Sequence, residues 1–426
     1  METSDPVGLD SGRPSEGRSD AVSRHGRPPR LCIVMEDFYP VMHGATTQIL
    51  MLGERFEKRG VAVLVLTRRI EPHHAREERL KGLDVVRVPP AVGLHRAGKF
   101  LMVPATLWAL FRHRARYDVV IVSDVKVLGA AAVLAARLLR KPCFLRAESC
   151  GEVDISAWFE ANRRAHPLLS RIAGLLLPLR NSWLRQADRF LSISSVITTE
   201  FVSTGMPSSR IVEITNGIDA EHFVPVSAAE RSRLRERLSL PQGWLLVYTG
   251  RLAEGKGLRW LLDRWTRFVE VKPGAHLVLV GSGQRFAADI EDELRQQVER
   301  RGLQSRVTFT GAVPNVAEYL QAADCFVLPS RMESLGISLL EAMSCGLPCV
   351  ATGVGGILDI VEDGVNALVV PYRDDERLDE ALRTMFDSPD TAARLGRAAR
   401  DTVVQRFHVD RIVDRYLTLL DRIHPR

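Results

Sequence analysis

The chain has 426 residues, 46% hydrophobic and 26% charged. That excludes a wholly disordered, collagen-like or coiled-coil protein and suggests two or three domains at ~150 residues each. Lys and Arg number 58 and Asp and Glu 52, a net charge of +6. This suits an anionic substrate or a membrane surface but lacks the concentrated basic stripe of a nucleic-acid binder.

Residues 1–29 are rich in Ser, Gly, Pro, Asp and Arg and read as a disordered leader without a signal-peptide hydrophobic region. Leu31–Met35 then predicts a buried strand, Thr46–Arg59 an amphipathic helix stopped by Gly60, and Val61–Thr67 a second strand. Val119–Val122, Cys143–Arg146 and Phe190–Ile193 repeat the pattern. Continuous Val/Ile/Leu runs separated by helical stretches predict strands buried on both faces, hence a parallel sheet in an α/β layer fold.

A turn at Asn216-Gly217-Ile218-Asp219 and a polar helical stretch between Pro225 and Pro241 mark a boundary at 216–242. A second strand series follows at Trp244–Thr249, Leu277–Val280, Val307–Thr310, Cys325–Leu328, Cys349–Ala351 and Ala367–Val370. The expected organisation is a Rossmann-like domain over 30–215, a linker over 216–242, a second Rossmann-like domain over 243–390, and terminal helices over 391–426 that return to the first domain. The longest apolar run, Val127–Leu139, contains Arg137 and falls short of the ~18 residues that span a bilayer. Cys32, Cys143, Cys150, Cys325, Cys345 and Cys349 are dispersed without a C-x-x-C pair. They read as buried reduced thiols of a cytoplasmic protein.

Cys325–Ala351 holds the densest chemistry. A strand, a loop and a helix beginning near Leu335–Gly336 place Glu333 before the helix start and Glu341 inside it. Helical side chains lean toward the N-terminus, so Glu341 points back toward Ile337 and Ser338. Free N–H groups between the two carboxylates form an anion site. The carboxylates suit neutral hydroxyls at either end of the same ligand, the layout of a nucleotide sugar. The alternative is a pair of solvated helix charges, because Glu213/Glu221 and Glu291/Glu299 share the spacing.

Trp244–Trp260 combines a strand, Gly250, Gly255, Gly257, Arg251, Lys256 and a helix start, the parts of a phosphate cradle. Gly250–Gly257 nearly matches a P-loop but ends in Gly, without the hydroxyl that binds magnesium. The first strand-to-helix turn carries His43-Gly44-Ala45, where backbone N–H groups can approach a phosphate.

With these segments in order, the chain resembles the retaining family-4 glycosyltransferases of the GT-B fold. The resemblance rests on ESLGISLLEAM around Glu333–Glu341, the GRL..GKG run, the glycines at Gly281–Gly283, VTFTGAV, the AD.FVLPS run, GLP.VAT..GG and NGID. It is dense over 244–372 and looser before 215. It implies two Rossmann-like domains facing across a cleft, with a C-terminal helix crossing back to the first.

Carried over residue by residue, the resemblance implies Arg251 and Lys256 on the donor pyrophosphate and Glu341 on the ribose. Glu333 and the backbone of Ser334, Leu335, Gly336 and Ile337 would hold the transferred sugar. Gly44 would close on the phosphate, and Gly281 and Val313 would line the donor site. Two departures stand out. His43 takes the place of a first glycine, and no His occurs in the Cys143–Glu152 stretch, where Arg146, Glu148 or Ser149 would serve near the sugar.

The expected reaction transfers a sugar from a UDP-, GDP- or ADP-sugar to a glycan, lipid-linked sugar or small molecule, with retention. No D-x-D occurs, so neither a metal nor another cofactor is expected. Phe100–Phe111, basic at both ends, reads either as a core helix or as a surface helix on an anionic membrane, as does the Leu175–Leu177 stretch. Competing readings are a non-catalytic nucleotide-sugar-binding partner and a P-loop-like nucleotidase.

Overall fold

A computed structural model describes residues 28–89, 91, 96–155, 177–283 and 289–422. Most of the leader and of the Leu175–Leu177 stretch lies outside the described residues.

The first sheet contains β1 (Leu31–Val34), β2 (Val63–Arg68), β3 (Glu77–Leu80), β4 (Leu83–Val88), β5 (Val119–Val122), β6 (Cys143–Ala147), β7 (Arg189–Ser192) and β8 (Ile211–Glu213), in the order β3-β4-β2-β1-β5-β6-β7-β8. Only β3 runs antiparallel to its neighbour. The second sheet contains β9 (Trp244–Thr249), β10 (Ala275–Val280), β11 (Val307–Gly311), β12 (Cys325–Leu328), β13 (Cys349–Thr352) and β14 (Leu368–Val370), all parallel, in the order β11-β10-β9-β12-β13-β14. β1, β2, β5, β10 and β12 are buried along their whole length, as the unbroken apolar runs of β1, β5 and β12 require. The molecule is thus two α/β domains.

Helices cover both sheets. Around the first lie α1 (Gly44–Lys58), α2 (Arg96–Arg112), α3 (Val125–Leu138) and α4 (Ser195–Ser203). Around the second lie α5 (Ala228–Arg237), α6 (Leu258–Val271), α7 (Glu291–Arg300), α8 (Val316–Ala322), α9 (Ile337–Ser344), α10 (Asp375–Asp387) and α11 (Pro389–Arg406).

The last helix, α12 (Val409–Asp421), crosses back to the first domain. Its Val409, Ile412, Val413, Tyr416 and Leu420 join the core formed by α1, β1 and β2. Tyr416 meets Phe56 edge-on, with ring centroids 5.8 Å apart. The two crossing segments are tied together, Ile218 N donating to Phe407 O at 2.7 Å and Val409 N to Ile218 O at 3.0 Å. A Cβ on Gly217 would lie 2.8 Å from Val409 Cα, so the glycine of the NGID turn permits this close crossing.

Three expectations change. The stretch 216–242 is not a bare linker, because Arg235 of α5 donates to Ala322 O at 2.8 Å and to Asp324 Oδ2 at 2.7 Å, tying that helix to the second sheet. Of the terminal helices, α11 stays with the second domain. A Cβ on its Gly396 would stand 2.3 Å from Gly346 O, and only α12 returns. The hairpin β3-β4 was not expected. Its turn, Lys81-Gly82, has φ values of 46° and 78°, the positive pair of a tight hairpin turn.

The apolar stretch in α2 divides. Met102, Ala109 and Leu110 enter the core, while Trp108 stays 58% exposed. Among the described residues no helix is long and apolar enough to cross a membrane.

Candidate active site

Strand order reverses beside β1 and β5 in one sheet and beside β9 and β12 in the other. In open α/β sheets ligands bind outside the carboxyl ends of strands at such switch points. Here the loops after β1, β5, β6, β9 and β12 line one cleft of about 490 Å³ between the domains.

The second-domain wall begins after β9. Gly250 and Gly257 have φ values of 145° and 71°. A Cβ on Gly257 would lie 1.8 Å from Pro329 O, so this glycine packs the β9 loop onto the β12 loop. Arg331 N, donating to Gly255 O at 2.8 Å, joins the same two loops. That packing explains the residue which broke the P-loop pattern. Tyr248 supports the loop by donating to Arg251 O at 2.9 Å, and burial raises its phenol above the usual tyrosine range. Arg251 and Lys256 both line the cleft.

Lys256 Nζ donates to Glu333 Oε1 at 2.6 Å, and Ser330 Oγ donates to the same oxygen at 2.7 Å. The cation expected on the pyrophosphate and the carboxylate expected on the sugar are therefore direct partners. Gly355 and Gly356 hold the loop from behind, since a Cβ on either would stand 2.1 Å from the carbonyl oxygen of Glu333 or Ser334. Gly336, at φ 98°, caps α9 and offers no side-chain acceptor. Leu335, Gly336, Ile337 and Ser338 line the cleft at this helix start, where backbone N–H groups favour an anion.

Glu341 lies one turn into α9 and is not among the cleft-lining residues. Burial alone pushes its carboxyl up to about 7. Gly281 does not line the cleft either. A Cβ on it would lie 1.9 Å from Gly250 O, so it shapes the β9 loop from below. Val313 packs against the main hydrophobic core.

The first-domain wall carries Met42, His43, Gly44, Ser123, Asp124, Glu148, Ser149 and Glu152. His43 caps α1, its Nδ1 accepting from Thr46 N at 3.4 Å, and burial lowers its pKa below the usual histidine value. A Cβ on Gly44 would lie 3.0 Å from Ile337 Cδ1, so the two domains meet here. They meet again where Cys150 N donates to Ser334 Oγ at 3.0 Å.

Arg146 corrects an expectation. It is 1% exposed and lies beneath the cleft, pairing with Glu148 at 3.0 Å and donating to Asn216 Oδ1. Its place inside β6, among residues buried along the whole strand, keeps its side chain out of the cleft lining. It positions Glu148, which also accepts from Ser123 Oγ at 2.8 Å. Glu152 holds the 148–152 turn by accepting from Glu148 N at 2.9 Å and Ser149 N at 2.8 Å. Burial, Asp124 and Glu148 raise its pKa well above the usual glutamate value.

Sequence reasoning missed Ser123, Asp124, Glu152 and Asn216 as cleft residues. For Ser123, Asp124 and Glu152 the available signal was their position beyond the carboxyl ends of predicted parallel strands; Asn216 follows β8, which was not predicted.

Comparison with known proteins agrees with this architecture. A family model described as Glycosyltransferase Family 4 matches residues 42–222, and one described as Glycosyl transferases group 1 matches 244–388. The mannosylfructose-phosphate synthase of Agrobacterium fabrum is 26% identical over 95% of this chain and 94% of its own length. The alpha-maltose-1-phosphate synthase of Mycobacterium tuberculosis is 31% identical over 57% of this chain, and the alignment spans 66% of that relative. Among solved structures, sucrose-phosphate synthase from Thermosynechococcus elongatus superposes with a TM-score of 0.76 at 23% identity, covering 93% of this chain and 99% of that one. HepE of Anabaena, solved with UDP and glucose, gives 0.74 at 21% identity, covering 93% and 100%.

Proposed function

The chain belongs to the family-4, group 1 glycosyltransferases, and on that premise we propose that it transfers a hexose from a nucleotide-diphosphate sugar to an acceptor hydroxyl with retention of configuration. The observation that carries this reading is the convergence of Arg251, Lys256, Glu333 and the α9 start on one interdomain cleft.

In this mechanism the bond between the anomeric carbon and the diphosphate oxygen breaks, and negative charge develops on that oxygen. Arg251, Lys256 and the N–H groups at 336–338 face the developing charge in a preorganised site. Their three contributions let the chain hold the diphosphate without a metal ion. Glu333, fixed by Lys256 and Ser330, accepts from hydroxyls of the transferred sugar. Glu341 accepts from the ribose. The acceptor oxygen attacks from the face the leaving group vacates, and its proton passes to the departing phosphate oxygen. No protein nucleophile is required, unlike in retaining glycosidases with carboxyls ~5 Å apart.

HepE was solved with UDP and glucose, and a 30% identical Mycobacterium tuberculosis relative is named as GDP-mannose-dependent, so the donor is a UDP-, GDP- or ADP-sugar. The acceptor is a glycan, a lipid-linked sugar or a small molecule. We place the enzyme in the cytoplasm, with α2 against the inner face of the cell membrane. Neither competing reading is favoured. Gly257 supplies no magnesium-binding hydroxyl for a nucleotidase, and the intact charged set in the cleft argues against a non-catalytic partner.

A thermal-shift panel of UDP, GDP, ADP, their sugars, and ATP with magnesium tests the reading. One nucleoside diphosphate and its sugar should raise the unfolding midpoint with or without metal. Stabilisation by ATP with magnesium alone would overturn it.

A further inference from the structure

A second crevice, of about 670 Å³, lies beside the donor cleft and shares only Ile193 with it. Its walls come from the ends of β7 and β8, from Asp359 of the second domain, and from the turn between α11 and α12.

Its charges are not balanced by internal pairing. Asp359 accepts from Ser195 N at 2.7 Å, Glu213 from Thr198 Oγ1 at 3.1 Å, and Asp414 is held by Arg59. Arg411 and Arg415, one turn apart on α12, also line the crevice. Among the described residues neither makes a hydrogen bond or an ion pair. Like charges at this spacing on a helix repel. Ser194, which is 5% exposed, and Thr215 line the same crevice, and their hydroxyls are buried without a partner. Buried polar groups in native proteins are rarely left so. Two unpaired guanidiniums and two unpartnered hydroxyls in one crevice supply donors for oxygen lone pairs and negative charge.

We propose that this crevice binds a phosphate group, as a second anion site separate from the donor cleft. Guanidinium forks match phosphate oxygens in geometry as well as charge. The walls belong to both domains and to the crossing helix, so an occupant touches each part that moves when the cleft closes. The site would thereby tie the domain angle to phosphate or to a phosphorylated metabolite.

The test measures the unfolding midpoint against inorganic phosphate and against a hexose 6-phosphate, at ionic strength fixed with chloride. Wild type and Lys256→Ala should both be stabilised. Arg411→Gln/Arg415→Gln should lose the shift while keeping its response to the stabilising nucleotide, which shows that it is folded. Ser194→Ala should weaken the shift several-fold without touching either arginine. A stronger response to the hexose phosphate would name the organic phosphate as ligand, and an equal one the free ion. The proposal is overturned if the double variant responds like wild type, or if Lys256→Ala abolishes the response and so assigns it to the donor cleft. None of these readouts depends on sugar transfer, so failure here leaves the transferase reading standing.

Discussion

Glu341 combines two demands that conflict. It sits in the first turns of α9, and the role proposed for it asks for a carboxylate charged enough to accept from hydroxyls. Burial raises its carboxyl from the ordinary 4.5 to about 7. Between those values the folded protein keeps a proton that the unfolded chain has released, so stability falls as pH rises through that window. The loss is on the order of 2–3 kcal/mol by pH 8. Glu341→Gln should flatten that fall in denaturant unfolding between about pH 5 and pH 8, and should weaken nucleotide binding. An unchanged slope in the variant would mean that another group carries the proton. His43 moves the other way, burial favouring its neutral form. It therefore caps α1 as an acceptor at neutral pH.

At the level of elements, α2 joins two environments. Ala109 and Leu110 are buried, whereas Trp108 and Phe111 are 58% and 37% exposed, next to the exposed Arg112 and Arg114. An exposed aromatic beside cations suits a lipid interface, where ring and charge act together. The protein should cosediment with anionic vesicles at low salt and dissociate as salt screens the arginines. Trp108→Glu should remove the binding while nucleotide binding persists. Absence of cosedimentation at low salt, or equal binding by the variant, would confine α2 to a core role.

The same scale explains what the sequence disclosed. β1, β5 and β12 are uninterrupted apolar runs because helices cover both faces of their sheets, and that pattern is local. The hairpin β3-β4 was not legible, because Glu-Glu-Arg-Leu on an edge strand is half exposed and lacks an apolar run. Arg146 misled because one cation inside Cys-Phe-Leu-Arg-Ala reads as a cleft residue. Its burial depends on Glu148 and on Asn216, 70 residues away. Ser123 and Asp124 follow a strand without any motif of their own. Their role emerges only when strand order puts the end of β5 opposite the end of β9.

Across the whole molecule, two topological switch points face each other, and the chain crosses between domains twice, at 217–218 and 407–409. Contacts of Gly44 with Ile337 and of Cys150 with Ser334 bring the first domain onto the start of α9, to which the proposed mechanism assigns the leaving group. Domain closure of this kind completes a catalytic set and excludes water. In the proposed mechanism catalysis depends on this cluster, in which Lys256 pairs with Glu333.

The most direct measurement is the release of nucleoside diphosphate from the donor that stabilises the protein, comparing wild type with Lys256→Ala. The variant should lose about a hundredfold or more of this activity, with an unfolding midpoint close to that of wild type. Turnover at the wild-type rate by the folded variant would contradict the proposed mechanism, because the charge developing on the leaving group would then be met elsewhere.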